Sequence, residues 1–427
     1  MRPAFDVSRF RLMKAKGESM QTSIRSLLSR AVRSRVAGVA VALLAALGIV
    51  VQGLAAPAAA AVNPQIEVTN LSLTKINSTE EEQDGALNVT NGLALLKFEW
   101  DASKAQVKTG DSFTITLPPE FKFHSTIERT MEYTETYPDG RPAKKHRIGA
   151  CTFTNDTATC TFGGTIDSLV QAGKKDIQGT GRYQLDVKTS TTLEELPFVI
   201  NANKTVQVDL PGEGGIQKPP GAVYRPNMYL VKGYNGFMRE GDTEAVWYFM
   251  FGGPRFQEAL GVTFDGQTVQ TITFKDTLGA GMSCPLKLIY LSAGDSEENP
   301  SQSVLLDKGT ETGPTTTPGH GSFEVTGECG EMAPDGTTPI TFVAKGPFKD
   351  KTNYSLSYRT VFTGDGKALP GTDYTNTVSV DGTKIKKTST TSFVEAASIE
   401  VSMRQGEGTF SITKKIGSDY ANQVAGG

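Results

Sequence analysis

Between residues 107 and 119, apolar and hydroxyl side chains alternate with the period of two that is typical of a β-strand. The apolar positions are Phe113, Ile115 and Leu117, and the hydroxyl positions between them are Ser112, Thr114 and Thr116. A Thr-Gly-Asp turn at 109–111 leads into the strand, and Pro118 and Pro119 end it, because proline cannot donate a ladder hydrogen bond. A second strand at 93–100 precedes it, with Leu96, Phe98 and Trp100 on one face. This pattern predicts a β-sandwich.

The second half of the chain repeats the organisation of the first. The other predicted strands lie at 65–76 (with a register break at Asn70), 182–187, 205–210, 245–251, 272–279, 354–362 and 374–380. Gly and Pro residues at 211–220 separate the two sets of strands, as expected at a domain boundary. The sequence therefore predicts an all-β fold with two tandem β-sandwich domains.

Residues 1–61 have the composition of a secretory signal peptide. Basic residues that include Arg25 and Arg35 precede an apolar run at 36–54, and Ala59-Ala60-Ala61 offers small residues for cleavage before Val62. A membrane-anchoring helix is the alternative, because the apolar run is long enough to span a bilayer. The alanine-rich end of the run favours cleavage.

Loss of residues 1–61 makes the protein more acidic. Nine of the 43 Lys and Arg residues and two of the 46 Asp and Glu residues lie in this segment, so the net charge changes from −3 to about −10. An acidic exported protein is poorly suited to nucleic acid, because phosphates need a basic face.

All four cysteines lie in the predicted exported part, at Cys151, Cys160, Cys284 and Cys329. An even number outside the cell implies disulfide bonds. If Asn155-Asp156 forms a two-residue hairpin turn, Cys151 stands opposite Cys160 at a non-hydrogen-bonded position, where side chains approach closely. We therefore pair Cys151 with Cys160 and Cys284 with Cys329. A zinc site is the alternative, but the chain lacks C-x-x-C spacing and its three histidines are scattered.

The sequence carries no motif of a common enzyme class. There is no G-x-S-x-G, H-E-x-x-H, P-loop or G-x-G-x-x-G fingerprint. The acidic loop at 77–85 lacks the ligand spacing of an EF-hand, so a solvated loop is favoured over a calcium site. We expect no enzymatic activity, no cofactor and no metal site. A carbohydrate-active enzyme is the remote alternative, because converging carboxylates depend on the fold rather than on sequence spacing.

Several segments resemble the Ig-like ligand-binding domains of Gram-positive cell-surface adhesins. KTGDSFTITLPPEFKF is similar to the strand that opens the first such domain in clumping-factor and Sdr-type proteins, the MSCRAMM class. KDTLGAGMSC, YSLSYRTVFT and YTNTVSV are similar to parts of the second domain. The staphylococcal motif Thr-Tyr-Thr-Phe-Thr-Asp-Tyr-Val-Asp, which receives a latch strand, is not found, and the cysteine pairs resemble an actinobacterial variant.

The resemblance implies a division of the chain into six segments. These are a signal peptide at 1–61, a first Ig-like adhesin domain at 62–212, a linker at 213–220, a second Ig-like adhesin domain at 221–383, a latch or linker at 384–407, and the truncated start of a stalk-type β domain at 408–427. In the last segment, Lys414 lies on the apolar face of a strand similar to stalk-domain strands in which such a lysine can form an isopeptide bond.

In the family that the chain resembles, the segment after the second domain crosses the trench between the domains and inserts beside a first-domain strand. This dock-lock-latch movement traps a bound peptide. The predicted latch anchors here are Phe393, Ala397 and Ile399. A plain linker is the alternative, because residues 388–391 are uniformly Thr or Ser.

The predicted function is therefore cell adhesion. The resemblance implies a secreted protein, attached to the cell wall through a C-terminal region missing from this chain. Its partner would be an extracellular host or neighbouring-cell protein, bound by β-augmentation in the trench between the domains. No nucleic-acid partner and no membrane insertion of the mature domains are expected. A stalk or pilin-like structural protein without a ligand site of its own is the main alternative.

Overall fold

The computed structural model describes residues 61–90, 92–218, 224–296, 303–309 and 314–406. The predicted signal peptide up to residue 60 and the predicted stalk segment with Lys414 lie outside the described residues. In the part of the chain that is described, no helix is both long and apolar enough to cross a membrane.

The first domain consists of short strands and one short helix. These elements are β1 (Ala61–Val62), β2 (Glu67–Ile76), β3 (Leu87–Asn88), β4 (Leu93–Asp101), β5 (Asp111–Thr116), β6 (Phe121–Phe123), β7 (Arg129–Glu135), β8 (Lys144–Phe153), β9 (Thr157–Phe162), α1 (Ile166–Gln171), β10 (Lys174–Val187), β11 (Glu195–Ile200), β12 (Lys204–Asp209) and β13 (Ile216–Gln217).

The second domain has the same character, and one further strand follows it. Its elements are β14 (Leu230–Tyr234), β15 (Glu244–Gly252), α2 (Pro254–Leu260), β16 (Gln270–Leu278), β17 (Met282–Ser296), β18 (Val304–Asp307), β19 (Thr315–Thr317), β20 (Gly321–Cys329), β21 (Thr338–Gly346), β22 (Thr352–Phe362), β23 (Tyr374–Val380) and β24 (Lys386–Thr391). The last described strand is β25 (Ala397–Gln405).

In the first domain, the strands form one curled sheet around an apolar core. Its hydrogen-bonded order is β12-β11-β5-β9-β8-β7-β25-β10-β4-β2, with β1 beside β5 and β6 beside β10. The apolar face predicted for β4 is buried, and Trp100 stacks on Phe113 of β5 with ring centroids 5.6 Å apart. The predicted register break is present in β2, where Asn70 has a φ of 53° and the pairing with β4 shifts between Thr69 and Ser72.

In the second domain, two sheets pack face to face. One has the order β14-β15-β22-β17-β18 and the other β19-β20-β21-β16-β23-β24. The core between them is aromatic, as the sequence of β15 predicts: Trp247, Phe249 and Phe251 are fully buried. Phe274 of β16 faces Phe249 and Phe251 at centroid distances of 4.7 and 4.9 Å. Aromatic pairs of this kind add to the stabilisation that burial alone gives.

The predicted linker at 213–220 contains a short strand. Ile216 is buried and Gln217 is exposed, and together they form β13, which pairs in parallel with Leu87 and Asn88 of β3. This part of the segment is therefore attached to the first domain.

Two disulfide bonds cross-link pairs of strands, one pair in each domain. Cys151 and Cys160 face each other across the β8–β9 hairpin, with Cα atoms 3.9 Å apart, and both are buried. The hairpin turn lies at Asn155-Asp156, where Thr154 N donates to Thr157 O at 2.9 Å. Cys284 is bonded to Cys329 and joins β17 to β20, which belong to different sheets of the second domain.

We predict that mild reduction of the folded protein opens Cys284–Cys329 before Cys151–Cys160. Cys329 is exposed, whereas Cys151 and Cys160 are at most 1% exposed, and thiol exchange requires access to a sulfur atom. Alkylation followed by peptide mass spectrometry measures the order. Earlier labelling of Cys151 would contradict the predicted order, and a peptide that links Cys151 to Cys284 or Cys329 would contradict the pairing.

Candidate functional site

The segment that follows β23 links the two domains through its side chains. It first adds β24 to the edge of the six-stranded sheet, in register with β23 from Tyr374–Thr391 to Ser379–Lys386. Threonine hydroxyls pair across these strands, with 3.0 Å between Thr375 and Thr390 Oγ1. Phe393 then packs into the second domain's core at 3% exposure, and its carbonyl accepts from Gly371 N at 2.8 Å.

Residues 392–396, which we call the crossing segment, then pass from the second domain to the first. Val394 N donates to Ser78 O at 3.3 Å, and Ala396 O accepts from Gln184 N of β10 at 2.8 Å. Glu395 O accepts from Arg182 Nη1 at 3.3 Å. The crossing segment is therefore held by main-chain contacts at both ends.

After the crossing segment, β25 becomes part of the first domain's sheet. It runs antiparallel to β10, from Ala397 opposite Tyr183 to Gln405 opposite Lys174. On its other side it runs parallel to β7, with Glu400 opposite Glu132 and Val401 opposite Tyr133. Thus β25 fills the space between two strands that are not paired to each other.

The side chains of β25 alternate as expected for a strand with one buried face. Ala397 and Ile399 are 6% and 8% exposed and belong to the first domain's core, and Val401 and Met403 pack against that core. Two of the three predicted latch anchors, Ala397 and Ile399, therefore lie in the first domain, while Phe393 lies in the second.

Close approach of β25 to β10 requires a small residue at Gly179. A Cβ at this position would collide with Glu400 O of β25 and would lie 2.8 Å from Trp100 Cζ2. Gly179 therefore allows the β25 backbone to pair closely with β10 and leaves room for the ring of Trp100. The alternation of apolar residues did not reveal this requirement.

Charged side chains surround the point where the crossing segment enters the first domain. Arg182 forms an ion pair with Glu80, and Gln184 Nε2 donates to the same carboxylate at 2.9 Å. Arg129 donates from Nε to Ala397 O at 3.0 Å and also forms an ion pair with Glu240 of the second domain. Arg129 thus contacts both β25 and the neighbouring domain. Its position in β7 gave no sequence signal of this role.

A second set of charges joins the domains directly. Asp186 of β10 is 6% exposed, and it contacts His124 at 2.5 Å, Arg239 of the second domain at 2.8 Å and Lys122 at 3.2 Å. Burial alone would raise the pKa of Asp186, but the hydrogen bond from His124 and the charges of His124, Arg239 and Lys122 hold it below its ordinary value. Asp186 is therefore a carboxylate that binds the second domain.

An apolar contact lies beside these charges. Phe237 packs on a small cluster of Ile76, Leu93 and Leu95 from the first domain, and its ring meets His124 edge-on at 6.1 Å. The junction is thus a mixed polar and apolar contact between the 235–242 loop and the first domain. In the part of the chain that is described, no group of three or more His, Cys, Asp or Glu side chains is placed to hold a metal ion.

The family models match in two places. Residues 91–192 match the model described as "Bacterial Ig domain". The fold class is Ig-like. This match and the strand content confirm the predicted all-β fold of Ig-like sandwiches. Residues 229–406 match a "Domain of unknown function (DUF7926)", which spans β14 to β25 and so includes the strand that folds into the first domain. No curated protein sequence matches the chain.

Similar solved structures are surface adhesins. The collagen adhesin of S. aureus has 15% identity and a TM-score of 0.42, over 82% of this chain and 99% of that one. The MSCRAMM ACE of Enterococcus faecalis has 13% identity and a TM-score of 0.40, over 78% and 97%. The collagen binding domain of RspB from Erysipelothrix rhusiopathiae has 13% identity and a TM-score of 0.41, over 80% and 99%. The chain resembles Gram-positive surface adhesins with Ig-like domains.

We predict that Ile399→Ala loosens β25 while both domains stay folded. Loss of a buried isoleucine side chain costs about 2–5 kcal/mol, and 2 kcal/mol corresponds to about thirtyfold in an opening equilibrium. Because Gln184 N faces β25, alternation places the amides of Arg182 and Thr180 on that side and those of Tyr183 and Gly181 towards β4. Hydrogen exchange should therefore accelerate at Arg182 and Thr180 but not at Tyr183 and Gly181.

Glu400→Ala is the matched control, because Glu400 is exposed on the same strand. Surface substitutions of this kind usually change stability by less than about 0.5 kcal/mol. Equal acceleration at both sets of β10 amides in Ile399→Ala would mean that the whole domain opens, and would contradict independent release of β25.

Proposed function

We propose that the protein is a bacterial cell-surface adhesin that traps an extended segment of an extracellular protein between its two Ig-like domains. The observation that carries this proposal is that residues 393–405 place side chains in both cores: Phe393 in the second domain, and Ala397 and Ile399 in the first. A segment that only connected the second domain to a following stalk module would not need to complete the sheet of the first domain. Closure of β25 supplies a physical means of trapping.

The proposed docking edge is the outer side of β24. Among the described strands, only β23 is hydrogen-bonded to it, and β14 of the other sheet lies near it without pairing. The proposed ligand strand would pair with the main-chain groups of β24 that face away from β23. Its side chains are Lys, Thr and Ser, most of them exposed, and they would contact a ligand with hydroxyl and ammonium groups. Main-chain hydrogen bonds then supply affinity and the side chains supply specificity.

The proposed sequence of events has three steps. With β25 released, the edges of β10 and β7 are open and the ligand docks along β24. The crossing segment then closes over the ligand, and β25 inserts between β10 and β7. Insertion buries Ala397 and Ile399, so the ligand can leave only after that burial is reversed. The lock therefore acts mainly on the dissociation rate.

A stalk without its own ligand remains the second candidate, because the junction between the domains is partly polar and directly bonded. Arg239–Asp186 and Arg129–Glu240 are contacts that a rigid spacer would also use. The resemblance to surface adhesins supports a secreted, wall-attached protein under either proposal. Neither proposal involves catalysis.

The test uses a reversible covalent lock. Thr180 and Glu400 are directly opposite in β10 and β25, and Thr180 Oγ1 donates to Glu400 Oε2 at 3.2 Å. Directly opposed residues in a ladder have Cα atoms about 5.5 Å apart at a hydrogen-bonded position, which suits a disulfide. The variant is Thr180→Cys with Glu400→Cys. Purified extracellular-matrix and plasma proteins, including collagen, serve as probes in a surface-binding assay.

We predict opposite effects on binding when the double-cysteine variant is oxidised before and after the probe is added. Oxidation before the probe is added should abolish binding, and oxidation after binding should slow dissociation by about tenfold or more. A chain that ends at Ala396 should bind at a similar rate and dissociate faster than the wild type. The reduced double variant is the control, and it should behave like the wild type.

Two outcomes would count against the adhesin proposal. If the form oxidised in advance bound a probe as well as the reduced form did, β25 would have no part in ligand capture. If no form bound any probe while hydrogen exchange showed both domains folded, the stalk would be favoured.

A further inference from the structure

The apolar face of β25 does not by itself fix the register of the strand. Its core-facing side chains are alternate residues, namely Ala397, Ile399, Val401 and Met403. A slip of one residue would turn this face to solvent, but a slip of two residues keeps it towards the core. If β25 moved two places towards the crossing segment, Gln405 would take the place of Met403, and of the four apolar residues only Ala397 would leave the core. Burial of apolar surface therefore separates the two registers only weakly.

The main-chain contacts at the start of β25 do not select a register either. Gln184 N donates to Ala396 O at 2.8 Å, and Arg129 Nε donates to Ala397 O at 3.0 Å. Every residue has a carbonyl oxygen, so a strand that slips by two residues presents an equivalent acceptor at both places. Phe393, buried in the second domain, resists only the slip that would pull the crossing segment forward. A slip towards the crossing segment has to be prevented by side chains of β25 itself.

The strand β10 has an irregularity opposite the end of β25. Its pairing with β25 shifts between Lys175 and Gln178, so Asp176 and Ile177 together face a single residue of β25. A β-bulge of this kind redirects a side chain. Ile177 is 4% exposed in the core, whereas Asp176, with a φ of 53°, forms an ion pair with Arg404 of β25. The bulge thus presents a carboxylate to one particular residue of β25.

Arg404 needs this carboxylate because a second cation lies directly opposite it. Lys175 of β10 is the ladder partner of Arg404, and both side chains are exposed. Like charges that are directly opposite each other destabilise a pair of strands. The ion pair with Asp176 offsets this repulsion. In a strand slipped by two residues towards the crossing segment, Arg404 would lie opposite Gln178 and this ion pair would be lost.

A second ion pair ends the apolar part of the groove. Lys174 Nζ of β10 lies 2.7 Å from Glu135 Oε1 of β7, so the pair joins the two strands that flank β25. It lies on the core-facing side, because Lys174 Nζ is 5.5 Å from the ring centroid of the buried Tyr133. Hydrogen bonds from Lys174 and Tyr137 lower the pKa of Glu135 to about 2, so the pair is charged at neutral pH. A slip away from the crossing segment would place Met403 over these charges.

We propose that Asp176 is a positioning residue that fixes the register of β25 through Arg404. The Lys174–Glu135 pair opposes a slip in one direction, and the Asp176–Arg404 pair opposes a slip in the other. An exposed ion pair contributes little to stability, but a small difference decides between two registers that bury almost the same residues. The register stands by itself, whereas its importance for locking rests on the proposed function.

The register of β25 determines the length of the segment that would close over a ligand. In the observed register, residues 392–396 cross between the domains. A slip of two residues towards the crossing segment would add Ala397 and Ser398 to it. A longer connection holds its two ends together less tightly. The contact between Asp176 and Arg404 therefore keeps the crossing segment at its shortest.

Cross-linking of two cysteine pairs, each in the full chain, tests the proposal. The first pair, Thr180→Cys with Glu400→Cys, reports the observed register. The second pair, Thr180→Cys with Ser402→Cys, reports a slip of two residues, because Ser402 would then lie opposite position 180. Both pairs are oxidised under the same conditions, and the cross-linked peptides are quantified by mass spectrometry. Without further changes, the second pair should form at least about tenfold more slowly than the first.

Two variants remove the ion pair in different ways. Asp176→Asn removes the charge and keeps a residue that tolerates the left-handed backbone, and Arg404→Gln removes the cation. Each should raise the ratio of slipped to observed cross-link about three- to fivefold, as expected for one exposed ion pair. Arg404→Lys should restore the original ratio. Lys175→Gln is the matched control and should leave the ratio unchanged, because Lys175 is exposed beside Asp176 and is not part of the ion pair.

Hydrogen exchange separates a change of register from a loss of the strand. In Asp176→Asn, the amides of Thr180 and Arg182 should stay protected, because a slipped β25 still pairs with β10. Two results would overturn the proposal. An unchanged cross-link ratio in both Asp176→Asn and Arg404→Gln would show that other contacts fix the register. Faster formation of both cross-links, together with faster exchange at Thr180 and Arg182, would show that Asp176 only stabilises the closed strand.

These measurements are independent of the adhesin proposal. No ligand is added, so the cross-link ratio reports the register whether or not the protein captures an extracellular partner. Failure of ligand capture would leave the ratio as predicted, and an unchanged ratio would leave ligand capture untouched.

Discussion

The first domain depends on a strand that its own sequence does not contain. β10 and β7 each present a line of main-chain donors and acceptors on the side where β25 lies, and buried or exposed edges of this kind are either paired or prone to associate with other chains. β25 supplies partners to both strands and covers the core beneath them with Ala397 and Ile399. The sheet is continuous only while this segment is in place.

The contacts at the junction make that pairing depend on how the domains are arranged. Arg129 binds the carbonyl of Ala397 and the carboxylate of Glu240, so one side chain contacts both β25 and the second domain. Asp186 of β10 likewise forms an ion pair with Arg239 of the second domain. Rotation of one domain against the other would therefore break these charge contacts, and it would at the same time disturb the point where the chain enters β25.

Local features of the fold could be predicted from sequence, and non-local ones could not. Alternation located β4 and β5, and a hairpin count placed Cys151 opposite Cys160, because these depend on neighbouring residues. Ser112, on the hydroxyl face of β5, is fully buried, which the alternation did not indicate.

The threonine-rich run at 386–391 resembles a linker in composition, yet it forms β24 along β23, where Thr375 and Thr377 pair through their hydroxyls with Thr390 and Thr388. Similarly, Lys232 is an ordinary polar position in its own strand. Its burial follows from Asp276, which lies 44 residues away and is brought near only by the packing of two sheets. The whole topology determines which strand pairs with which and which charge lies beside a buried lysine. The residues next to a position in the sequence do not reveal these partners.

The crossing segment between β24 and β25 also determines how β25 competes with foreign strands for the edge of β10. Because the crossing segment is only five residues long, β25 is held near its groove at an effective concentration in the millimolar range, as for other short linkers. Any foreign strand that could pair with β10 must exceed this concentration, or bind more tightly, before it displaces β25. The short tether thus protects the edge of β10 from unselected peptides. A peptide that docks elsewhere on the protein avoids this competition.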